Sequence, residues 1–138
     1  MLQLENVLYT AQVHTTGGRN GTARSSDGRL DVNLTIPGGK GDGTNPEQLF
    51  AAAWSGCFTD AMAIVARKMK VALPSNRFID AEVDLGSNDG EFFLRARLNV
   101  SLPGLDREVA QAVVDGAHEI CPYSKAIRGN IDAEINLV

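Results

Sequence analysis

Two cysteines, Cys57 and Cys121, are the residues of this sequence best suited to chemistry. A chain of 138 residues buries enough surface to fold without a disulfide, and two thiols in a reducing compartment are seldom a structural staple. They are therefore either inert or reactive. Cys57 stands mid-helix in Trp54-Ser55-Gly56-Cys57-Phe58. A cysteine in such an apolar setting behaves as a small hydrophobe unless a cation favours its thiolate, because burial alone raises its pKa. The helix dipole cannot serve, since Cys57 lies about three turns past the helix start and that field fades within the first turn. Arg19, in the cluster Gly17-Gly18-Arg19-Asn20-Gly21, is a candidate cation. The glycines let the backbone fold closely and aim one side chain; an ordinary exposed arginine in a turn is the plainer reading. Glu47, in the first turn of the helix that carries Cys57, is a natural carboxylate partner for an arginine, or else it only offsets the positive helix end. Cys121 precedes Pro122, which pushes its backbone out of the helical region. A thiol on such a bend is free to move as a resolving cysteine must, or it is a buried helix-terminal residue.

Other chemistries have thinner support. His118 and Cys121 lie three apart and could face one ion, and His14 and Cys57 complete the set of soft ligands. There is no CxxC and no HExxH, so a zinc site, or a ligand-binding module with inert cysteines, stays a minor alternative. The glycine-rich run Pro37 to Thr44 sits between a strand and a helix. Gly39-Lys40-Gly41-Asp42-Gly43 does not match GxGxxG, and GxxxxGK[ST] is absent, so the run reads as a connector.

The elements that must position these residues are legible in the apolar periodicity. Val7 to Thr15 and Leu30 to Ile36 alternate as strands, and Asp27-Gly28 is a hairpin turn that pairs the second with the stretch Gly21 to Ser26. This predicts a three-stranded antiparallel meander. Asn45-Pro46-Glu47 opens a helix that runs to about Lys70, apolar around most of its early circumference and hence central and largely buried. Ile79 to Leu85 and Phe92 to Leu102 form a second hairpin across Asn88-Asp89-Gly90. Asp106 caps a helix from Arg107 to about Ile120, and a last strand covers Ile131 to Leu137. The order βββ-α-ββ-α-β with tight turns implies an α+β class, antiparallel sheets and a single domain over 1–138.

Composition narrows the partners. A net charge of −4 gives no basic field for nucleic acid or an anionic membrane. No uninterrupted run of about 18 apolar residues is present. The N-terminus lacks a basic region followed by an apolar core, so a cytoplasmic protein is expected.

Three motifs in order carry a resemblance. Thr44-Asn45-Pro46-Glu47-Gln48-Leu49-Phe50-Ala51-Ala52 leading into Ser55-Gly56-Cys57-Phe58 is similar to the peroxidatic-cysteine helix of the organic hydroperoxide resistance (Ohr) proteins, within the Ohr/OsmC superfamily. Cys121-Pro122-Tyr123-Ser124-Lys125-Ala126-Ile127-Arg128-Gly129-Asn130 resembles the second cysteine motif of that family. Tyr9-Thr10-Ala11, Gly17-Gly18-Arg19-Asn20-Gly21 and Ser26-Asp27-Gly28-Arg29-Leu30-Asp31-Val32 resemble its N-terminal part. The resemblance implies an intertwined homodimer with sheets wrapped around central helices, and a cysteine peroxidase with no bound cofactor or metal. It implies Cys57 as peroxidatic, Cys121 as resolving, Arg19 as the thiolate partner and Glu47 as the residue holding Arg19. It implies organic and fatty-acid hydroperoxides as substrates and recycling by a lipoylated protein or another dithiol. A family member devoted to peroxide sensing, with incidental turnover, is the rival within this reading. Phe50, Trp54 and Phe58 flank Cys57 within two turns and are expected to line the substrate channel, core packing being the alternative. Glu47 and Cys57 are ten residues apart on one helix, about 15 Å along its axis. One arginine cannot easily touch both within a chain, so the site is expected to combine groups from two subunits.

Overall fold

A computed structural model describes all 138 residues, which divide into two compact units, Met1–Pro46 and Glu47–Val138. The first unit is a meander of β1 (Val13–Thr16), β2 (Thr22–Ser25) and β3 (Asp31–Asn33), antiparallel throughout. A 3-10 turn, Gly18–Asn20, joins β1 to β2. Gly17 and Gly18 both have positive φ, 71° and 57°, and a Cβ on Gly21 would stand 1.6 Å from the Thr16 carbonyl oxygen. The glycine cluster is thus required by the backbone, and Arg19 and Asn20 are the residues it leaves with side chains on the turn. The hairpin at Asp27-Gly28 is closed by Asp27, which accepts from the Ser25 hydroxyl at 2.6 Å and the Arg29 N–H at 3.0 Å. These two donors hold the Asp27 carboxyl below its ordinary pKa, the hydroxyl most strongly.

The first strand is much shorter than the alternation from Val7 suggests. Residues 1–12 carry no strand, and Val7, Leu8 and Tyr9 are exposed. The reason lies in β2, which offers only four residues before the Asp27 turn, so β1 can pair over only four. Similarly, β3 ends at Asn33, where the chain folds into a loop that returns to bridge Thr44 with Leu34. The Pro37 to Thr44 run is the body of that loop.

The second unit contains α1 (Pro46–Met69, entered from the first), β4 (Phe78–Asn88), β5 (Glu91–Ser101), α2 (Arg107–Ile120), α3 (Pro122–Ile127) and β6 (Asp132–Leu137). The hairpin β4–β5 pairs antiparallel over its full length, from Phe78 opposite Ser101 to Asn88 opposite Glu91. β6 departs from the expected antiparallel sheet. It lies parallel to β5, from Arg95 opposite Asp132 to Val100 opposite Leu137. The chain returns from β5 through α2 and α3, and a helical crossover brings the next strand back in the same direction. Asp106 caps α2 as its position predicts, accepting from the Glu108 and Val109 N–H groups.

One core joins α1, α2 and β5. Trp54, Phe58, Met62, Leu98, Val100, Val113 and Cys121 are all fully enclosed in it. α1 is less buried than its apolar content suggests. Trp54, Phe58, Ala61, Met62 and Ala66 form its buried stripe, whereas Ile64 is 43% exposed. One stripe is all that a single three-stranded sheet and α2 can cover. By length and composition α1 could also cross a bilayer, with mean hydropathy 1.5 over its most apolar 18 residues. The sequence shows no unbroken run there because Ser55, Gly56, Thr59 and Asp60 interrupt it, and the apolar stripe is spent on the core instead.

Candidate active site

The second unit brings the two cysteines together. Cys57 Sγ and Cys121 Sγ are 3.5 Å apart, both as free thiols. Cys57 is half-buried on α1, and Cys121 is completely buried. Cys121 is the last cap of α2 and the first cap of α3, extended at φ −62° and ψ 122°. Its N–H donates to the Ala117 carbonyl at 2.9 Å and its own carbonyl accepts from Lys125 N–H at 2.9 Å. Pro122 takes the first position of α3, where its missing N–H is not needed. The bend predicted at Cys121-Pro122 is therefore present, but it leads into a further short helix, α3, that the order βββ-α-ββ-α-β does not include.

Within this unit every strong influence except one disfavours the Cys57 thiolate. Burial pushes its pKa up, the neighbouring Cys121 thiol pushes it further, and Asp60 adds like charge. The backbone N–H of Tyr123 works in the opposite direction. A reactive thiolate at Cys57 consequently requires a cation beyond these neighbours.

The remaining candidates fall as follows. Glu47 is the second residue of α1 and half-buried. Arg19 belongs to the first unit, half-buried on its 3-10 turn. Phe50 is half-buried and meets the Trp54 ring edge-on, with centroids 6.5 Å apart. Trp54 and Phe58 have no exposed surface and belong to the core. His14 is exposed on β1, and His118 ends α2 with its Nδ1 buried and unpartnered. No group of three or more His, Cys, Asp or Glu side chains is arranged so that it could hold a metal ion.

Two features escaped the sequence reading. The indole N–H of Trp54 donates to Ser124 Oγ at 3.0 Å, with both residues fully buried. The signal was available in principle, because a buried tryptophan needs an acceptor for its N–H. The Tyr123 N–H at Cys57 is a backbone group, and no residue type announces it.

Residues 39–136 match the family model for OsmC-like proteins. The organic hydroperoxide resistance protein of Xanthomonas axonopodis pv. citri is 48% identical over 141 residues, covering 99% of both chains. The crystal structure of the organic hydroperoxide resistance protein OhrB of Bacillus subtilis superposes with a TM-score of 0.90 at 42% identity, covering 96% of this chain and 100% of that one. The chain belongs to the organic hydroperoxide resistance branch of the OsmC-like family. An organic hydroperoxide resistance protein of Legionella pneumophila is also similar, with a TM-score of 0.88 and 41% identity over 96% of this chain and 98% of that one. The OsmC-like match takes in all of α1, both cysteines and Ser124. Arg19 precedes it, although the alignment with the Xanthomonas protein runs over nearly the whole chain.

Proposed function

We propose that this protein is a cysteine-based peroxidase that reduces organic hydroperoxides, fatty-acid hydroperoxides included, to alcohols, and so defends the cytoplasm against organic peroxide stress. The observation that carries the proposal is the pair of free sulfurs 3.5 Å apart, one half-buried and one fully buried. The half-buried thiol can be reached by a substrate, and the buried one only by its neighbour. The Cys57 thiolate attacks the terminal peroxide oxygen, the O–O bond breaks, and the alkoxide takes a proton to leave as an alcohol. Cys57 is left as a sulfenic acid. Cys121 then displaces its oxygen as water and forms a disulfide, which an external dithiol such as a lipoylated protein reduces by exchange.

Arg19 is our candidate for the cation that Cys57 needs. At about 4 Å and an effective dielectric near 20, one positive charge offers roughly 4 kcal/mol of attraction before desolvation. An arginine fork can bond a carboxylate and a thiolate together, which suits Glu47 as its holder. The spacing of Glu47 and Cys57 along α1 favours a homodimer whose subunits share each site. Of the three aromatic residues that flank Cys57 on α1, Phe50 alone keeps some exposed surface and is our candidate for contact with the organic group of the substrate; Trp54 and Phe58 act behind it.

Stopped-flow oxidation with tert-butyl hydroperoxide tests the proposal. We expect rapid loss of the Cys57 thiol, a faster reaction than with hydrogen peroxide, and turnover once a lipoyl dithiol is supplied. Slow oxidation of both thiols, with no disulfide, would sink it. Stoichiometric oxidation that no dithiol reverses would favour a sensing role. Mixing Cys57→Ser chains with Glu47→Ala chains tests the shared site, because activity returns in the heterodimer only if Glu47 serves the Cys57 of the other chain.

A further inference from the structure

The Trp54–Ser124 hydrogen bond takes no part in the chemistry above, yet it joins the two segments that carry the sulfurs. Trp54 precedes Cys57 by three residues on α1, so both project from neighbouring positions on one side of that helix. Ser124 follows Cys121 by three residues in α3. The two segments are thus joined by two adjacent rungs, the sulfur pair at 3.5 Å and the indole–hydroxyl bond at 3.0 Å. α3 has few other anchors. Only Ser124 and Ile127 of its six residues are buried. At its far end the Arg128 guanidinium, in a partly exposed position, donates to the His118 carbonyl and approaches Glu119 at 3.6 Å. Water cannot replace either member of the indole–hydroxyl bond, because both residues are fully enclosed.

We propose that Ser124 is a positioning residue for disulfide formation: by accepting the Trp54 indole N–H it fastens α3 to α1 and keeps the Cys121 sulfur within reach of Cys57. The inference rests on the peroxidase reading and assigns Ser124 to its second step alone. In that step the Cys121 sulfur attacks the Cys57 sulfenic sulfur. The S–S bond forms, the S–O bond breaks, and the oxygen leaves as water with the thiol proton. The sulfurs must close from 3.5 Å to a bonded separation of about 2.05 Å. Closure competes with a second hydroperoxide, which would carry the sulfenic acid on to a sulfinic acid. A tethered α3 favours closure, and an untethered one loses that race more often.

Single-turnover oxidation of Ser124→Ala and Ser124→Thr by tert-butyl hydroperoxide separates the two steps. For Ser124→Ala we expect the sulfenate-forming phase within about two-fold of the parent, disulfide closure slowed on the order of ten-fold, and a matching rise in sulfinic product at fixed excess peroxide. Ser124→Thr, which keeps the acceptor, should recover most of the closure rate. A folded Ser124→Ala protein with unchanged closure and unchanged sulfinic yield would overturn the proposal. If the parent shows no sulfenate phase at all, the peroxidase reading fails instead. The Cys57–Cys121 equilibrium against glutathione then still reads the tether. A ten-fold loss of effective concentration corresponds to about 30 mV, and no shift in that equilibrium overturns the proposal independently of activity. Should Ser124→Ala not fold, the unmodified chain decides, because Trp54 is its single tryptophan. Its indole hydrogen should exchange no faster than the Lys125 amide, which holds α3 through the Cys121 carbonyl. Indole exchange a hundred-fold or more ahead of that amide would show that α3 stays in place with the bond open, and would refute the tether.

Discussion

Cys57 illustrates how one residue type acquires opposite tendencies from its surroundings. Its near neighbours raise its pKa, burial first and the Cys121 thiol second, so the folded chain favours the protonated and unreactive form. A nearby arginine reverses that preference by favouring the charged form. The sign follows directly. With Arg19 in place the rate of sulfenate formation should plateau at lower pH, and in Arg19→Ala it should go on rising with pH past the range of an ordinary thiol. Arg19→Lys should fall between the two, since an ammonium supplies charge without the fork. A pH–rate profile by stopped flow checks this, and superimposable profiles for the parent and Arg19→Ala would remove Arg19 from the site.

The helices and strands were legible to different degrees, for physical reasons. Asp106 and Asn45-Pro46 announce helix starts because capping is a local transaction between neighbouring residues. The β4–β5 hairpin was legible because alternation and a tight turn are local too. The parallel placement of β6 was not, because strand direction depends on the path of the chain through α2 and α3. The over-long first strand failed for a related reason: alternation reports a propensity to pair, while the length of the partner decides how much pairs. α3 was hidden by Pro122, which reads equally as the end of one helix and the first residue of another. Both cysteines could be singled out from residue type and neighbours, but their 3.5 Å approach could not. That approach depends on how α1 packs against α2, where Gly116 matters. A Cβ there would stand 2.9 Å from Val65 Cγ1, and valine has little rotamer freedom to yield. Gly116→Ala should cost about 1–3 kcal/mol of stability by overpacking and slow disulfide closure. Urea denaturation measures the first, and an unchanged midpoint would show that the helices separate at no cost.

At the level of the whole molecule, the surface that a single chain leaves uncovered becomes the important quantity. Ile64 on α1 is 43% exposed and Phe92 on the β4–β5 hairpin 76% exposed, which is costly area for an isolated chain to leave in water. Under the proposed homodimer, Ile64→Glu should drive the protein from twice the 14.7 kDa chain mass towards the chain mass itself in sedimentation equilibrium. A parent that already sediments as a single chain would end the two-subunit account. The sulfur pair also has a consequence for the mechanics of the chain. A bond between Cys57 and Cys121 would close a loop 64 residues in span. In an unfolded chain that cross-link removes conformational freedom worth about 4 kcal/mol. The oxidised protein should therefore withstand denaturant better than the reduced one by an amount of that order, read as a rise in its urea midpoint. The same quantity works in reverse. Folding makes the cross-link harder to reduce, so each turnover would alternate the protein between a stiffer and a looser polymer, and a variant that loosens the fold would also raise the reduction potential of its disulfide.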